Sequence, residues 1–463
     1  MRVVFVSDHF SRPEEPGILR TWQVAKHLAA EGDKVTVIAP AGHYLFGQPA
    51  VPAARTPLPE GVRVVRMRTS PLRRGSATGR LRQYADQLVL SAVATWRAGR
   101  CDVVVAGLTP SMLGIGAFCA ARLRGIPFVV DERDLALDAA EQAALLPLPL
   151  LRAAQVVERY LHRRSAGVVT VTPGLRRLLL ARGLPTGKVT LAPNGYDGPA
   201  EEMDERSRAD LRARLGWEGR TVVLYAGGLG HMYDLDVVLD AVARLDHGRF
   251  LVAIMGEGEY KAKYVRRCQR EGLPGSFPAP VSKAEVAQVC QAADVCVLPL
   301  RKLPWAELAV PNKLFDYLGA ARPVVVTGPG DAANLVAEAG AGLPVPAGDA
   351  PALARALDTL AADPESAARM GVAGREYVLS SWTRAGSVRD FRSALLAAAA
   401  QARRETADVH ASHVSWCRVE MEHAASDSPV PGATGPGRNG GDYVTDVPDA
   451  ILTSRWHLPG DRD

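Results

Sequence analysis

Lys313 and Asp316 stand three residues apart in the stretch Val310-Pro311-Asn312-Lys313-Leu314-Phe315-Asp316-Tyr317-Leu318, so that a helix would carry the ammonium and the carboxylate on neighbouring positions of its surface. The Pro311-Asn312 pair before them marks a helix start, where free backbone N–H groups and the positive end of the dipole favour an anion. Lys313 adds charge at that spot, and Asp316 can accept hydrogen bonds from a pair of hydroxyls. Phosphate at one end and a diol at the other describe a nucleotide. The stretch then gives way at Pro323 to the β-branched run Val324-Val325-Val326, a buried strand.

Four other places hold residues suited to chemistry. In Asp131-Glu132-Arg133-Asp134-Leu135, four charges directly follow an apolar run. Asp131, Arg133 and Asp134 can hydrogen-bond a sugar or orient an acceptor hydroxyl, or form an ion-paired loop. Gly17 follows the loop Asp8 to Pro16 and opens a helical pattern. It suits either close approach of backbone to an anion or a tight turn of positive φ. The loop Ala226-Gly227-Gly228-Leu229-Gly230-His231-Met232-Tyr233 can wrap a diphosphate, with His231 as an added donor. Beyond it, Lys261 reads as a phosphate ligand or a surface charge, and in Phe277-Pro278-Ala279-Pro280-Val281 main-chain groups up to Val281 can read a base edge.

Positioning these residues requires strands and helices in alternation, and the chain supplies them. Val3 to Val6, Lys34 to Ile38, Val62 to Val65, Asp102 to Ala106, Pro127 to Val130 and Gly167 to Thr172 are β-rich. Gly17 to Ala30, Leu81 to Trp96, Ser111 to Arg124 and Leu151 to Arg164 have helical spacing of apolar residues. Such alternation predicts a parallel sheet covered on both faces, with ligands beyond the carboxyl ends of its strands. Thr190 to Pro199, rich in Pro, Asn and Gly, interrupts it, and a second alternation starts at Thr221 to Tyr225, as expected of two domains in a chain of 463 residues.

Composition limits the partners. The six cysteines have no paired spacing, which predicts reduced core residues and neither a disulfide frame nor a metal site. No apolar run reaches the roughly 20 residues of a membrane span, and the chain enters its first strand directly, so a cytoplasmic protein is expected. Between Arg63 and Arg100 there are nine arginines and one acid, Asp86, around the amphipathic Leu81 to Trp96. This segment predicts either peripheral contact with anionic lipid at the inner face of the membrane, or with a phosphorylated acceptor, or a solvated helix face. Interleaved aromatics are missing, so nucleic acid is not an expected partner.

Taken in order, Thr109-Pro110, Ile126 to Leu135, Pro193-Asn194-Gly195-Tyr196-Asp197, Tyr225 to Gly230, Ala292-Ala293-Asp294-Val295 and Pro311 to Leu318 make the sequence resemble the family-4 retaining glycosyltransferases of GT-B fold, above all the bacterial branch that builds polysaccharides and related glycans. The resemblance runs from Met1 to about Ala400. It implies an α/β protein of two Rossmann-like, doubly wound domains facing a cleft: residues 1–195 for the acceptor, 196–381 for the nucleotide sugar, and a C-terminal helix at about 382–400 crossing back to the first domain. It further implies a retaining transfer from a nucleoside-diphosphate sugar to a hydroxyl of a lipid-linked, glycan or small-molecule acceptor, with no cofactor and no obligatory metal. The catalytic residues would be Asp131, Arg133 and Lys313. The substrate-binding residues would be Gly17, Asp134, Gly227, Gly228, Gly230, His231, Lys261, Val281, Pro311, Asn312 and Asp316.

The family's usual two glutamates, eight residues apart, correspond here to Leu308 and Asp316, with Glu307 one place out of register. Its usual Arg and Lys of the glycine loop correspond to Gly228 and Tyr233, which leaves His231, Lys261 and Lys313 to meet the diphosphate. A nucleotide-sugar 2-epimerase of the same fold and a non-catalytic partner subunit are the alternatives. Residues 404–463 hold five Arg against ten Asp and Glu, with no periodicity, and read as a disordered tail. They leave about +10 on the remainder of a chain whose total is +5.

Overall fold

The computed structural model describes residues 1–13, 19–41, 56–68, 77–108, 111–134, 137–138, 148–198 and 202–404. Gly17, the Thr109-Pro110 pair, Leu135 and all of the expected tail beyond residue 404 lie outside the described residues.

Long runs of Val and Ile buried on both faces demand a parallel sheet covered on each side. The first such sheet contains β1 (Arg2–Val6), β2 (Lys34–Pro40), β3 (Val62–Met67), β4 (Val103–Ala106), β5 (Phe128–Glu132), β6 (Gly167–Thr170) and β7 (Val189–Leu191). Its spatial order is β3-β2-β1-β4-β5-β6-β7. Trp22, Val24 and Leu28 of the helix Arg20–Ala30 cover one face. Leu113, Ala117 and Phe118 of the helix Ser111–Leu123 cover the other.

The second sheet contains β8 (Thr221–Ala226), β9 (Phe250–Met255), β10 (Gly275–Ser276), β11 (Val295–Pro299), β12 (Val324–Thr327) and β13 (Gly342–Val345). These lie in the order β10-β9-β8-β11-β12-β13. Leu314, Phe315 and Val336 pack on one face, and Leu239, Leu353 and Leu357 on the other. In each sheet the order reverses beside its first strand, between β1 and β4 and between β8 and β11. A crevice opens at such a switch point, at the carboxyl ends of the strands.

Two local departures from the sequence expectation have clear causes. The strand expected to reach Thr172 stops at Thr170, because Thr172 caps the helix Pro173–Ala181, its Oγ1 accepting from Leu175 N at 3.1 Å. Thr172-Pro173 is a cap-and-first-turn signal. The presumed linker from Thr190 begins inside β7, so the first sheet extends two residues into it.

Two chain crossings join the halves. Tyr196 N donates to Trp382 O and Arg384 N to Tyr196 O, each at 2.7 Å. A side chain at Gly195, whose φ is 64°, would meet Trp382 O at 2.8 Å, so this crossing requires glycine. After the crossing, helical residues 384–404 return to the first sheet, where Val388, Phe391 and Leu395 join its core. A separate seam is made by Thr172 Oγ1, which donates to Leu308 O at 2.6 Å, and by Arg177, which pairs with Asp331 at 2.6 Å. The Leu308 side chain packs with Val171 and Leu175 of the first half.

Candidate functional site

The helix Asn312–Gly319 forms because Leu314, Phe315, Tyr317 and Leu318 supply a continuous buried face. Pro311 precedes it in extended geometry (φ −61°, ψ 142°), and no side chain caps its first turn. The Oδ1 of Asn312 is buried without a hydrogen-bond partner. The helix therefore presents open N–H groups and an unsatisfied amide oxygen at its start. Tyr317 fixes that start beneath the end of β8, its Oη accepting from Ala226 N at 2.8 Å.

Lys313 extends from this first turn under Gly227. Its Nζ donates to Tyr225 Oη and lies 3.9 Å from the ring centroid of Tyr225 and 3.6 Å from that of Tyr233. Two aromatic faces stabilise an ammonium, yet among the described residues no carboxylate stands within ion-pair distance of it. Burial pushes its pKa well below the ordinary lysine value, and the charge of Asp316 only partly offsets this. Gly227 is needed above it, since an added Cβ would stand 2.7 Å from Nζ. The glycine loop packs on the loop after β9 through Gly227 N to Met255 O and Leu229 N to Glu257 O, both at 2.9 Å.

These elements enclose a cleft of about 390 Å³. Gly227, Gly228, Pro311, Asn312, Lys313 and Asp316 line it, with an apolar end at Met255, Pro280, Val281 and Val286. Leu19 and Gln23 of the first half and the crossing residues Gly195, Asp197 and Arg384 form the facing wall. The arrangement can hold an anion at the helix start, a diol at Asp316 and a flat apolar group against Pro280 and Val281.

Facing the first sheet's carboxyl edge is an ion-pair network. Arg20 donates Nη2 to Asp131 Oδ1 at 2.8 Å and Nε to Oδ2 at 3.3 Å, and it also donates to Asn194 Oδ1 at 3.1 Å. Asp131 is 1% exposed and Arg20 2%, and Arg20 ties Asp131 at the end of β5 to Asn194 beside the domain crossing. Arg133 donates to Asp8 Oδ1 at 2.7 Å. Burial alone would raise the Asp8 carboxyl, but Arg133 and His9 hold it well below the usual range. The Asp134 carboxyl is pushed up by the surrounding protein, against the pull of Arg133 and with Asp8 and Asp131 adding to the rise. Burial raises the hydroxyl pKa of Tyr233 in the second half, and the charge of Asp134 adds to the rise.

Of the residues singled out in the sequence, seven meet in the cleft: Gly227, Gly228, Val281, Pro311, Asn312, Lys313 and Asp316. Gly230, His231 and Lys261 are not among its lining residues. His231 is exposed, with Tyr260 Oη 2.8 and 3.0 Å from its ring nitrogens, and Lys261 pairs with Glu257 at 2.6 Å. Arg133 and Asp134 stand on the first half outside the lining set. Arg384 was not singled out. Its only local signal is a Trp-Thr-Arg helix start at 382–384, far in sequence from everything it faces.

Comparison with known proteins matches residues 18–195 to a family model described as a glycosyl transferase 4-like domain, and residues 220–363 to one described as glycosyl transferases group 1. The putative colanic acid biosynthesis glycosyl transferase WcaI of Escherichia coli is 24% identical over 348 residues, 71% of this chain and 83% of that protein. The GDP-mannose-dependent alpha-(1-6)-phosphatidylinositol monomannoside mannosyltransferase of Mycolicibacterium smegmatis is 30% identical over 226 residues, 47% of this chain and 59% of that protein. Among solved structures, Anabaena HepE in complex with UDP superposes with a TM-score of 0.65 at 17% identity, covering 85% of this chain and 99% of that one. That likeness is one of fold.

Replacing Arg20 by Met leaves the buried Asp131 carboxylate with only the longer 3.8 Å pair to Arg133, and the expected loss is about 3–5 kcal/mol of stability. A denaturant midpoint equal to the wild type's would contradict this account of Asp131.

Proposed function

The chain belongs to the family-4 glycosyltransferases of GT-B fold, and on that premise we propose that it is a retaining enzyme. In this reading it moves a sugar from a nucleoside-diphosphate sugar to a hydroxyl of a lipid-linked, glycan or small-molecule acceptor. The observation that carries the reading is the open helix start at Asn312, with the Lys313 ammonium beside it and Asp316 one turn on, all lining one cleft. The base lies against Pro280 and Val281, the ribose diol on Asp316, and the diphosphate at the helix start.

Transfer then requires the departing diphosphate to be stabilised more than the bound donor. Helix N–H groups and Lys313 are aimed where that charge develops. A diphosphate oxygen takes the acceptor proton, and attack from the face that the diphosphate leaves retains configuration. Arg133 and Asp134 orient the acceptor at the edge of the first sheet. The printed titles of three fold neighbours name UDP or UDP-glucose as ligands, and one relative is named for GDP-mannose, so the reading specifies the donor's class and leaves its base open. A thermal-shift screen of nucleotide sugars tests it, since a ligand at 100 times its dissociation constant stabilises by about 2.7 kcal/mol. No shift with any of them would remove the donor assignment.

A second observation supports a membrane setting for the acceptor. The helix Ala77–Arg97 buries Gln87, Ser91 and Thr95 against its neighbours and exposes Val89 (56%), Val93 (39%) and Trp96 (53%). Leu123, Leu150, Val156 and Tyr160 are further exposed apolar residues on the two following helices. The exposed charged residues on these three helices and just after the first are, among the described side chains, Arg82, Arg97, Arg100, Arg122, Arg152, Arg159, Arg163 and Arg164. Apolar side chains within an arginine rim fit an anionic lipid surface, and among the described residues no helix is long and apolar enough to cross a membrane. This reading places the enzyme against the membrane, next to a lipid-linked acceptor.

Lys313→Ala is expected to lower turnover at least about tenfold, equivalent to roughly 1.4 kcal/mol of transition-state stabilisation; unchanged kinetics in the folded variant would remove the diphosphate role. With Asp316→Ala, calorimetry should record weaker binding of the nucleoside diphosphate, and an unaltered dissociation constant would exclude the ribose contact. For the lipid surface, the protein should sediment with phosphatidylglycerol vesicles and not with phosphatidylcholine ones, and a V93S/W96S variant should lose most of that binding. Equal sedimentation of variant and wild type would assign the exposed face no such role.

A further inference from the structure

Arg384 is 5% exposed, yet its Nε and Nη1 have no hydrogen-bond partner. Guanidinium groups withdrawn from water are normally satisfied, because each buried unpaired donor of a charged group is costly. Burial weighs against the charge of Arg384, nearby Arg20 adds to the penalty, and Asp197 and Asp316 offset only part of it. The fold therefore holds this cation in an unfavourable place. Its backbone keeps it there, since Arg384 N donates to Tyr196 O at the crossing and the residues after it are fixed by Val388 and Phe391 in the first core.

The place is the cleft. Among its lining residues the only cations are Lys313 and Arg384, one from the second half and one from the helix that returns to the first. Lys313 already has two tyrosine rings and a hydroxyl for company. Arg384 lines the same space with two donors that have no partner.

We propose that Arg384 is a second anion-binding residue of the donor site, its unpaired guanidinium donating to a phosphate oxygen of the bound nucleoside diphosphate. The inference rests on the donor reading above. A guanidinium suits the task because its planar fork can meet two oxygens at once and stays charged when desolvated. It also supplies, from the crossing helix, positive charge that neither Gly228 nor Tyr233 can provide from the glycine loop.

The test compares wild type, R384M and R384K. The probe is whichever of UDP, GDP, ADP and dTDP stabilises the wild type most, with its parent nucleoside as control. Because Arg384 is unpaired in the empty protein, R384M is expected to melt no lower than the wild type without ligand, the opposite of what a structural arginine would do. Its dissociation constant for the diphosphate should rise at least about tenfold, with R384K in between and the nucleoside constant unchanged. Three outcomes overturn the proposal: unaltered diphosphate affinity in R384M, equal weakening for nucleoside and diphosphate, or an R384M protein that fails to fold or melts clearly lower when empty. If the wild type binds none of the four diphosphates, the donor reading itself fails, and that result is distinct from a wild type that binds and a variant that binds as well.

Discussion

The site depends on a half-buried ammonium that, among the described residues, has no carboxylate within ion-pair distance. Lys313 is held against Tyr225 and Tyr233, in a space that Gly227 leaves open, by a helix whose first turn has no cap. Each part of that arrangement is unfavourable when empty. A lysine surrenders hydration, the helix start leaves N–H groups unmatched, and Asn312 keeps an unsatisfied oxygen. The first two deficits are removed by the same kind of group, a multivalent oxyanion, whereas the Asn312 oxygen needs a donor such as a hydroxyl. The second sheet and the packing of the loop after β9 on the glycine loop serve to hold these deficits within reach of one another.

The first half has a different electrostatic character. Asp131, Arg20, Asp8 and Arg133 satisfy one another in a network that is buried and nearly complete. Such a network fixes geometry: Arg20 joins Asp131 to Asn194 beside the crossing at Gly195, so the carboxyl edge of the first sheet is tied directly to the crossing. Leu308 has a related place. At the position where the resembling family grips the donor sugar with a glutamate, this chain puts a leucine into a small apolar cluster with Val171 and Leu175. That residue secures the seam between the halves, and any grip on the donor sugar must come from other residues.

The sheets and their order of strands were legible because burial on both faces writes Val-rich runs into the sequence, and because Pro, Asn and Gly mark the places where those runs stop. The start of the helix at Asn312 was legible for the same local reason. Legibility ended where a side chain's partner is distant in the chain. Asp131 reads as an available carboxylate until Arg20, from another helix, is seen beside it. His231 reads as an anion donor, and Tyr260, 29 residues on in the chain, stands at hydrogen-bond distance from its ring. Arg384 gives no local sign, since its place in the cleft is created by a second crossing that brings the end of the chain back to its beginning.

The most direct measurement is a crystal structure of the protein with a bound nucleoside diphosphate. The account predicts phosphate oxygens at the N–H groups of the Asn312–Gly319 start, with Lys313 Nζ turned from Tyr225 toward them and the ribose hydroxyls on Asp316. A diphosphate bound elsewhere, with Lys313 still donating to Tyr225, would contradict it.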